Sequence, residues 1–279
     1  MLRPTPLPGG IAASIADVAT DVATDSTTDS TTDATTDARR PLLLLHGMFG
    51  GAWQFAEWQM RLARMGHPSV AIDFHAGEGG PADARKRGAS LRDYVDAALG
   101  VARGMDTPVV IGHSMGGLIA QKLAEESAVS AAVLICSAPP RWISALSGRL
   151  LGRMLKYSPQ LLFSRPIAPR RSDADSLFLH RIPLKERGRV FERIHPESGR
   201  AARELAVGTM AIDARRVRCP VLSVGAGDDH FLPPRIARAI ANKYRCDYRE
   251  YAEHGHYIIG EPGWQQVADD VAAWITDHA

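Results

Sequence analysis

From Arg39 onward the chain alternates between short, almost wholly apolar runs and longer amphipathic stretches, and few folds accept that pattern. Runs at 41–45 (PLLLL), 69–73 (SVAID), 108–112 (PVVIG), 131–136 (AAVLIC) and 220–225 (PVLSVG) are nearly all apolar. They read as parallel strands covered on both faces. A sixth strand candidate is 247–251 (DYREY), and helix candidates lie at 53–65, 91–103, 115–126, 234–243 and 264–277. Strands alternating with helices imply βαβ units. The expectation is an α/β fold: a doubly wound, mostly parallel sheet of about six strands.

Two segments depart from the alternation, and the near-neutral charge of +2 hides both. In residues 1–38 an aspartate falls every fourth position from Asp17 to Asp37, within a Thr-rich repeat that nets −5. Thr and Asp compete for backbone hydrogen bonds, and the repeat holds almost no bulky apolar residue to offset ordering entropy. Residues 1–38 therefore read as a disordered acidic tail; a secretion signal is the minor alternative, since Pro and Ser interrupt the apolar patch near residues 11–16.

The second segment is 139–218, with no convincing strand and 17 Lys+Arg against 7 Asp+Glu. Trp142, Leu146, Leu150 and Met154 recur every four positions, as on one face of a helix. Ser172-Asp173-Ala174-Asp175 reads as the start of another helix, and two more follow around 184–194 and 198–210. This is read as a helical cap inserted into a core made of 39–138 and 219–279. Its net charge of +10 suits steering of anionic substrates or docking on an anionic lipid surface, or equally a solvated arginine-rich face touching the acidic tail. Its apolar residues, with Leu161, Leu162, Phe163, Leu177 and Phe178, suit acyl chains or simple packing on the core.

The chemistry centres on Gly112-His113-Ser114-Met115-Gly116-Gly117, between an apolar strand and a helix. That is the strand–turn–helix setting of a nucleophilic serine, where flanking side chains would clash in the sharp turn. A serine hydroxyl is a weak nucleophile and needs a base oriented by a carboxylate. Downstream, 220–225 runs into Ala226-Gly227-Asp228-Asp229-His230-Phe231-Leu232-Pro233, and a later loop holds Glu253-His254-Gly255-His256-Tyr257. Both follow strand candidates, at the sheet edge where α/β proteins bind ligands. Cys136, Cys219 and Cys246 show no CxxC spacing and read as small core residues.

From residue 41 to the C-terminus the chain resembles the α/β-hydrolase superfamily. His46-Gly47-Met48 is similar to its oxyanion segment, 112–117 to its nucleophile elbow, 225–233 to its acid loop, and Gly255-His256 to its histidine loop. The resemblance implies Ser114 as nucleophile and His256 as base, with His254 as fallback. It implies Asp229 as acid, because its spacing of four to Pro233 fits the family pattern better than that of Asp228. It also implies an oxyanion hole from the backbone N–H groups of Met48 and Met115, and places His46 and His113 in structural roles. Pocket residues are expected to be Phe49, Trp142, Leu146, Phe231 and Tyr257.

Departures narrow the reading. Tyr257 stands where hydroxynitrile lyases of this superfamily carry lysine, and a serine nucleophile disfavours epoxide hydrolase or dehalogenase chemistry. The segment 73–80 (DFHAGEGG) replaces the family's usual turn. The expected function is carboxylester hydrolysis through a Ser-His-Asp triad on a small-molecule ester, anionic or acyl-chain-bearing. Thioester or carbon–carbon bond hydrolysis and a ligand-binding receptor are the alternatives. No metal or organic cofactor and no nucleic-acid partner is implied. The longest apolar runs fall far short of the ~20 residues of a membrane helix, and a cytoplasmic location is expected.

Overall fold

The computed structural model describes residues 14–17, 39–75, 88–145, 152 and 155–279. The strands are β1 (Ser14–Asp17), β2 (Leu42–Leu45), β3 (Ser69–Asp73), β4 (Val109–His113), β5 (Ala131–Ile135), β6 (Val221–Ala226) and β7 (Asp247–Tyr251). They form one sheet in the order β1-β3-β2-β4-β5-β6-β7. All neighbours from β3 to β7 are parallel.

The apolar runs form strands because both faces are covered. Leu42 to Leu45 are each 0% exposed. Their period of two sends Leu43 and Leu45 into one core and Leu42 and Leu44 into the other. The first core packs against α2 (Leu91–Arg103), α3 (Met115–Glu125) and α8 (Pro234–Tyr244). The second packs against α1 (Ala56–Arg64) and α9 (Trp264–His278), with Trp58, Val267 and Val271 fully buried. Ser90 starts α2 with a reciprocal capping box to Asp93.

The sheet has seven strands where about six were expected. The addition is β1, paired antiparallel with β3 from Ser14↔Asp73 to Asp17↔Val70. It comes from the segment read as a disordered tail; the rest of 1–38 lies outside the described residues. An edge strand is held by main-chain bonds to one neighbour and needs no long apolar run, so composition does not reveal it.

Among the described residues, the α-helices between β5 and β6 are α4 (Ser158–Leu162), α5 (Arg171–Leu177), α6 (Leu184–Glu192) and α7 (Gly199–Val207). The reading of Ser172 to Asp175 as a helix start needs correction: α5 begins at Arg171 and has no side-chain cap. Trp142 belongs to a turn with φ +80°, not a helix, and the rest of its stripe (Leu146, Leu150, Met154) lies outside the described residues. The segment is tied to the core by hydrogen bonds. The Leu91 amide donates to Glu204 (2.8 Å), Ser198 Oγ to the Ala89 carbonyl (2.6 Å), and the His195 amide to the Phe49 carbonyl (3.0 Å). Among the described residues no helix is long and apolar enough to cross a membrane.

Candidate active site

The site follows from strand order. β2 and β4 are neighbours in the register Leu45↔Gly112, so the loops leaving their C-terminal ends emerge side by side. One carries Gly47-Met48-Phe49 and the other Ser114. β6 delivers Asp229 and the loop after β7 delivers His256, at the same edge.

Ser114 has φ 55° and ψ −116°, a conformation that costs a non-glycine residue about 1–3 kcal/mol. The surroundings hold it there. Its amide donates to the Ile135 carbonyl (3.0 Å), and its carbonyl accepts from the Ala138 amide (2.9 Å). Glycines make the turn feasible: a Cβ on Gly112 would lie 2.2 Å from the Gly116 oxygen, and one on Gly116 2.1 Å from the Leu45 oxygen.

The structure brings Ser114, His256 and Asp229 together, each 4–6% exposed. Ser114 Oγ lies 3.0 Å from His256 Nε2, and His256 Nδ1 lies 2.7 Å from Asp229 Oδ2. Both contacts are hydrogen bonds if Nδ1 carries the proton and Nε2 accepts from the serine. The other oxygen of Asp229 accepts the amides of Phe231 (2.8 Å) and Leu232 (2.7 Å). Asp228 is occupied elsewhere, 2.7 Å from Arg181 and 3.1 Å from His230. His254 faces Glu261 at 3.4 Å. The arrangement suits attack by a serine oxygen on an electrophilic carbon, with the imidazole relaying the proton.

Met48 and Met115 line the same cavity as Ser114. The Met115 amide opens α3, where the first amides have no partner within the helix and the helix dipole favours negative charge. His46 and His113 act as struts. His46 Nε2 accepts the Phe74 amide (3.0 Å) while Nδ1 donates to the Gly47 carbonyl (2.7 Å). His113 Nε2 donates to the His256 carbonyl (2.7 Å). Burial, reinforced by neighbouring His75, pushes the His46 pKa down to about 4. Burial, reinforced by His256, pushes that of His113 down to about 3.

A model of the alpha/beta hydrolase family matches residues 42–273, which spans all of these features. The chain belongs to the alpha/beta hydrolase family. Among solved structures, this hydrolase is similar to an esterase from Exiguobacterium antarcticum, with a TM-score of 0.70 and 16% identity over 99% of this chain and 100% of that one. It is also similar to a monoacylglycerol lipase from Paleococcus ferrophilus, with a TM-score of 0.66 and 18% identity over 86% and 95%. Among curated proteins, the rice (Oryza sativa subsp. japonica) esterase PIR7B is 31% identical over 108 residues, 37% of this chain and 40% of that protein. The match thus spans less than half the length of that relative.

The pocket expectations divide. Phe49, Phe231 and Tyr257 line the space beside Ser114 in this hydrolase, with Phe178 between them. Trp142 does not: it is 84% exposed, with Arg141 stacked over its ring at 4.5 Å. Leu146 lies outside the described residues. Leu161 and Leu177 line a cavity, whereas Leu162 and Phe163 are 69% and 70% exposed.

Cys136 is in the core, as read from the sequence, but its proximity to Asp229 and the role of Glu197 were not foreseen. The Cys136 thiol is buried within 4.8 Å of Asp229, and burial with that carboxylate keeps it protonated. Glu197 is 1% exposed and sits behind the oxyanion-type loop. Its Oε1 accepts from Tyr94 Oη (2.5 Å) and the Ser198 amide (2.8 Å), and the Phe49 amide helps to hold its negative charge. His75 Nε2 stands 3.6 Å from Oε2. Burial raises the Glu197 pKa against the pull of these donors. Neither residue has a local signal, since the contacts that tie it to the rest of the site join segments far apart in sequence.

Proposed function

We propose that this hydrolase cleaves carboxylic esters through an acyl-enzyme on Ser114. The observation that carries the reading is the hydrogen-bonded chain from Ser114 Oγ through His256 to Asp229. Ser114 Oγ attacks the carbonyl carbon while His256 Nε2 takes its proton. The oxygen of the tetrahedral intermediate is held by the amides of Met48 and Met115. Collapse breaks the bond to the alkoxy oxygen, which leaves with the proton from His256. Water then repeats the cycle on the acyl-enzyme, giving its proton to His256 and releasing the acid. Asp229 holds the tautomer and stabilises the imidazolium. In this reading, residues 139–218 serve as a cap over the site, supported by the lining contributed by Phe178, Leu179, Val190 and Ile194.

The test is turnover of p-nitrophenyl esters together with labelling by a fluorophosphonate. Ser114→Ala should lose both, with turnover falling roughly 10⁴–10⁶-fold. Near-full activity in that variant rejects the assignment. Assaying acyl-CoA and diketones alongside the esters separates the alternative chemistries of the same triad.

A further inference from the structure

Ser114 stands where two chambers of unequal size meet. The smaller, about 40 Å³, is walled by His256, His113, Tyr257, Trp53 and Gln54. The larger, about 310 Å³, is walled by Tyr157, Leu161, Ile167, Leu177, Ala202 and Leu205. Met48, Phe49, Phe178 and Phe231 border both and partition them at the serine. Among the described residues, His256 borders the small chamber and not the large, whereas Met115 borders the large and not the small.

Chemistry at Ser114 then decides which half of an ester goes where; this step rests on the acyl-enzyme reading above. The bond that breaks is the one between the acyl carbon and the alkoxy oxygen. That oxygen must receive the proton carried by His256 Nε2, so the alcohol lies against His256, in the small chamber. The acyl carbon stays bonded to Ser114 Oγ, and its chain has the large chamber to fill. The large chamber has roughly eight times the volume of the small one, so the long chain belongs in it and only a short group fits beside His256.

The large chamber is also unsuited to a charged chain. No Lys or Arg is among its described lining residues. Its one acid there, Asp173, is paired with Lys156 at 2.6 Å and accepts a hydrogen bond from Tyr157. The described arginines of the insertion therefore lie outside the space the substrate fills.

We infer that the substrate class is esters of a neutral, apolar acyl chain of roughly eight to twelve carbons with an alcohol of one or two carbons. Methyl decanoate and nonyl acetate test this directly. They share one molecular formula and differ only in which side of the ester carries the chain. With the full-length protein, kcat/KM for methyl decanoate should exceed that for nonyl acetate at least 100-fold. Ala206, exposed and on the wall of the large chamber, offers a second measurement. Ala206→Trp should lower the ratio of kcat/KM for methyl decanoate over ethyl acetate at least tenfold.

Equal rates, or a preference for nonyl acetate, overturn the orientation and leave the acyl-enzyme reading standing. Fluorophosphonate labelling of Ser114 without turnover of either isomer overturns the substrate class alone. Absence of both labelling and p-nitrophenyl acetate hydrolysis overturns the acyl-enzyme reading, and this inference with it.

Discussion

The C-terminal edge of the sheet and the segment inserted between β5 and β6 are built on opposite terms. At the edge, Ser114, Asp229 and His256 are buried, and Ser114 and Asp229 are each held by several main-chain bonds. In the insertion, α4 and α6 have no buried residue, and Leu155, Leu162, Phe163 and Leu184 are 63–76% exposed. Buried, over-determined groups tolerate no displacement, whereas a loosely packed segment can change its lining without disturbing the serine. Substitutions at the edge should therefore act on kcat, and most of those in the insertion on substrate choice.

The neighbours Asp228 and Asp229 break that contrast most sharply if it is wrong. Asp229 faces His256, while Asp228 bridges to Arg181 and His180 of the insertion. Asp229→Asn should lower kcat by roughly 10³–10⁴-fold by favouring the wrong imidazole tautomer. Asp228→Asn removes only half-exposed ion pairs and should change kcat less than about threefold. A reversed order in steady-state kinetics would reassign the acid.

The same contrast explains what could be read from the chain. The strands were legible because burial on both faces leaves continuous apolar runs, as in Leu42 to Leu45. The elbow was legible because its backbone demands glycine at 112 and 116. Asp229 and His256 followed from chain order and from motifs at strand ends. The buried partners of Cys136 and Glu197 were not legible, because a buried cysteine or glutamate gains its role from partners as distant as Asp229 and Tyr94. Trp142 was misplaced because a fourfold recurrence of apolar residues suggested a helix face, and its positive φ has no signature in composition.

Glu197, buried in the insertion, sits behind the loop carrying Met48. Glu197→Gln keeps the size and one acceptor oxygen but removes the charge that accepts from Tyr94 and the Ser198 amide and attracts the Phe49 amide. A charge-assisted bond lost in a buried site is worth roughly 1–3 kcal/mol. The variant should lose about tenfold in kcat with KM within twofold, because the oxyanion donor and not the chamber is disturbed. An unchanged kcat would show that the loop holds its shape without the insertion.

Acid stability carries a contribution from the edge. His46 and His113 are held neutral in the folded protein, with pKa values of about 4 and about 3 against 6.5 when unfolded. Below pH 6.5 the unfolded chain binds protons that the folded chain refuses, so these residues make stability fall as pH falls. Each contributes a slope of about 1.4 kcal/mol per pH unit, ending near pH 4 for His46 and near pH 3 for His113. Urea unfolding of His113→Gln between pH 6 and 4.5 should show a slope shallower by about one proton. An identical slope would mean that His113 is not buried neutral.

The smallest effect belongs to Trp142, where the sequence expectation and the structure disagree. A tryptophan with φ +80° occupies backbone space that suits glycine, at a cost of about 1 kcal/mol or more. Against that stand the Arg141 stack, worth roughly 0.5–1 kcal/mol when exposed, and the extra chain entropy of a glycine. Trp142→Gly should therefore leave stability within about 1 kcal/mol of the parent, because the terms oppose each other. Trp142→Ala keeps the strained Cβ, loses the stack, and should come out as the less stable of the two by a few tenths of a kcal/mol. Neither should change kcat/KM for a short ester by more than about twofold, since the ring lies outside both chambers. A tenfold loss on ethyl acetate in either variant would put Trp142 back over the serine.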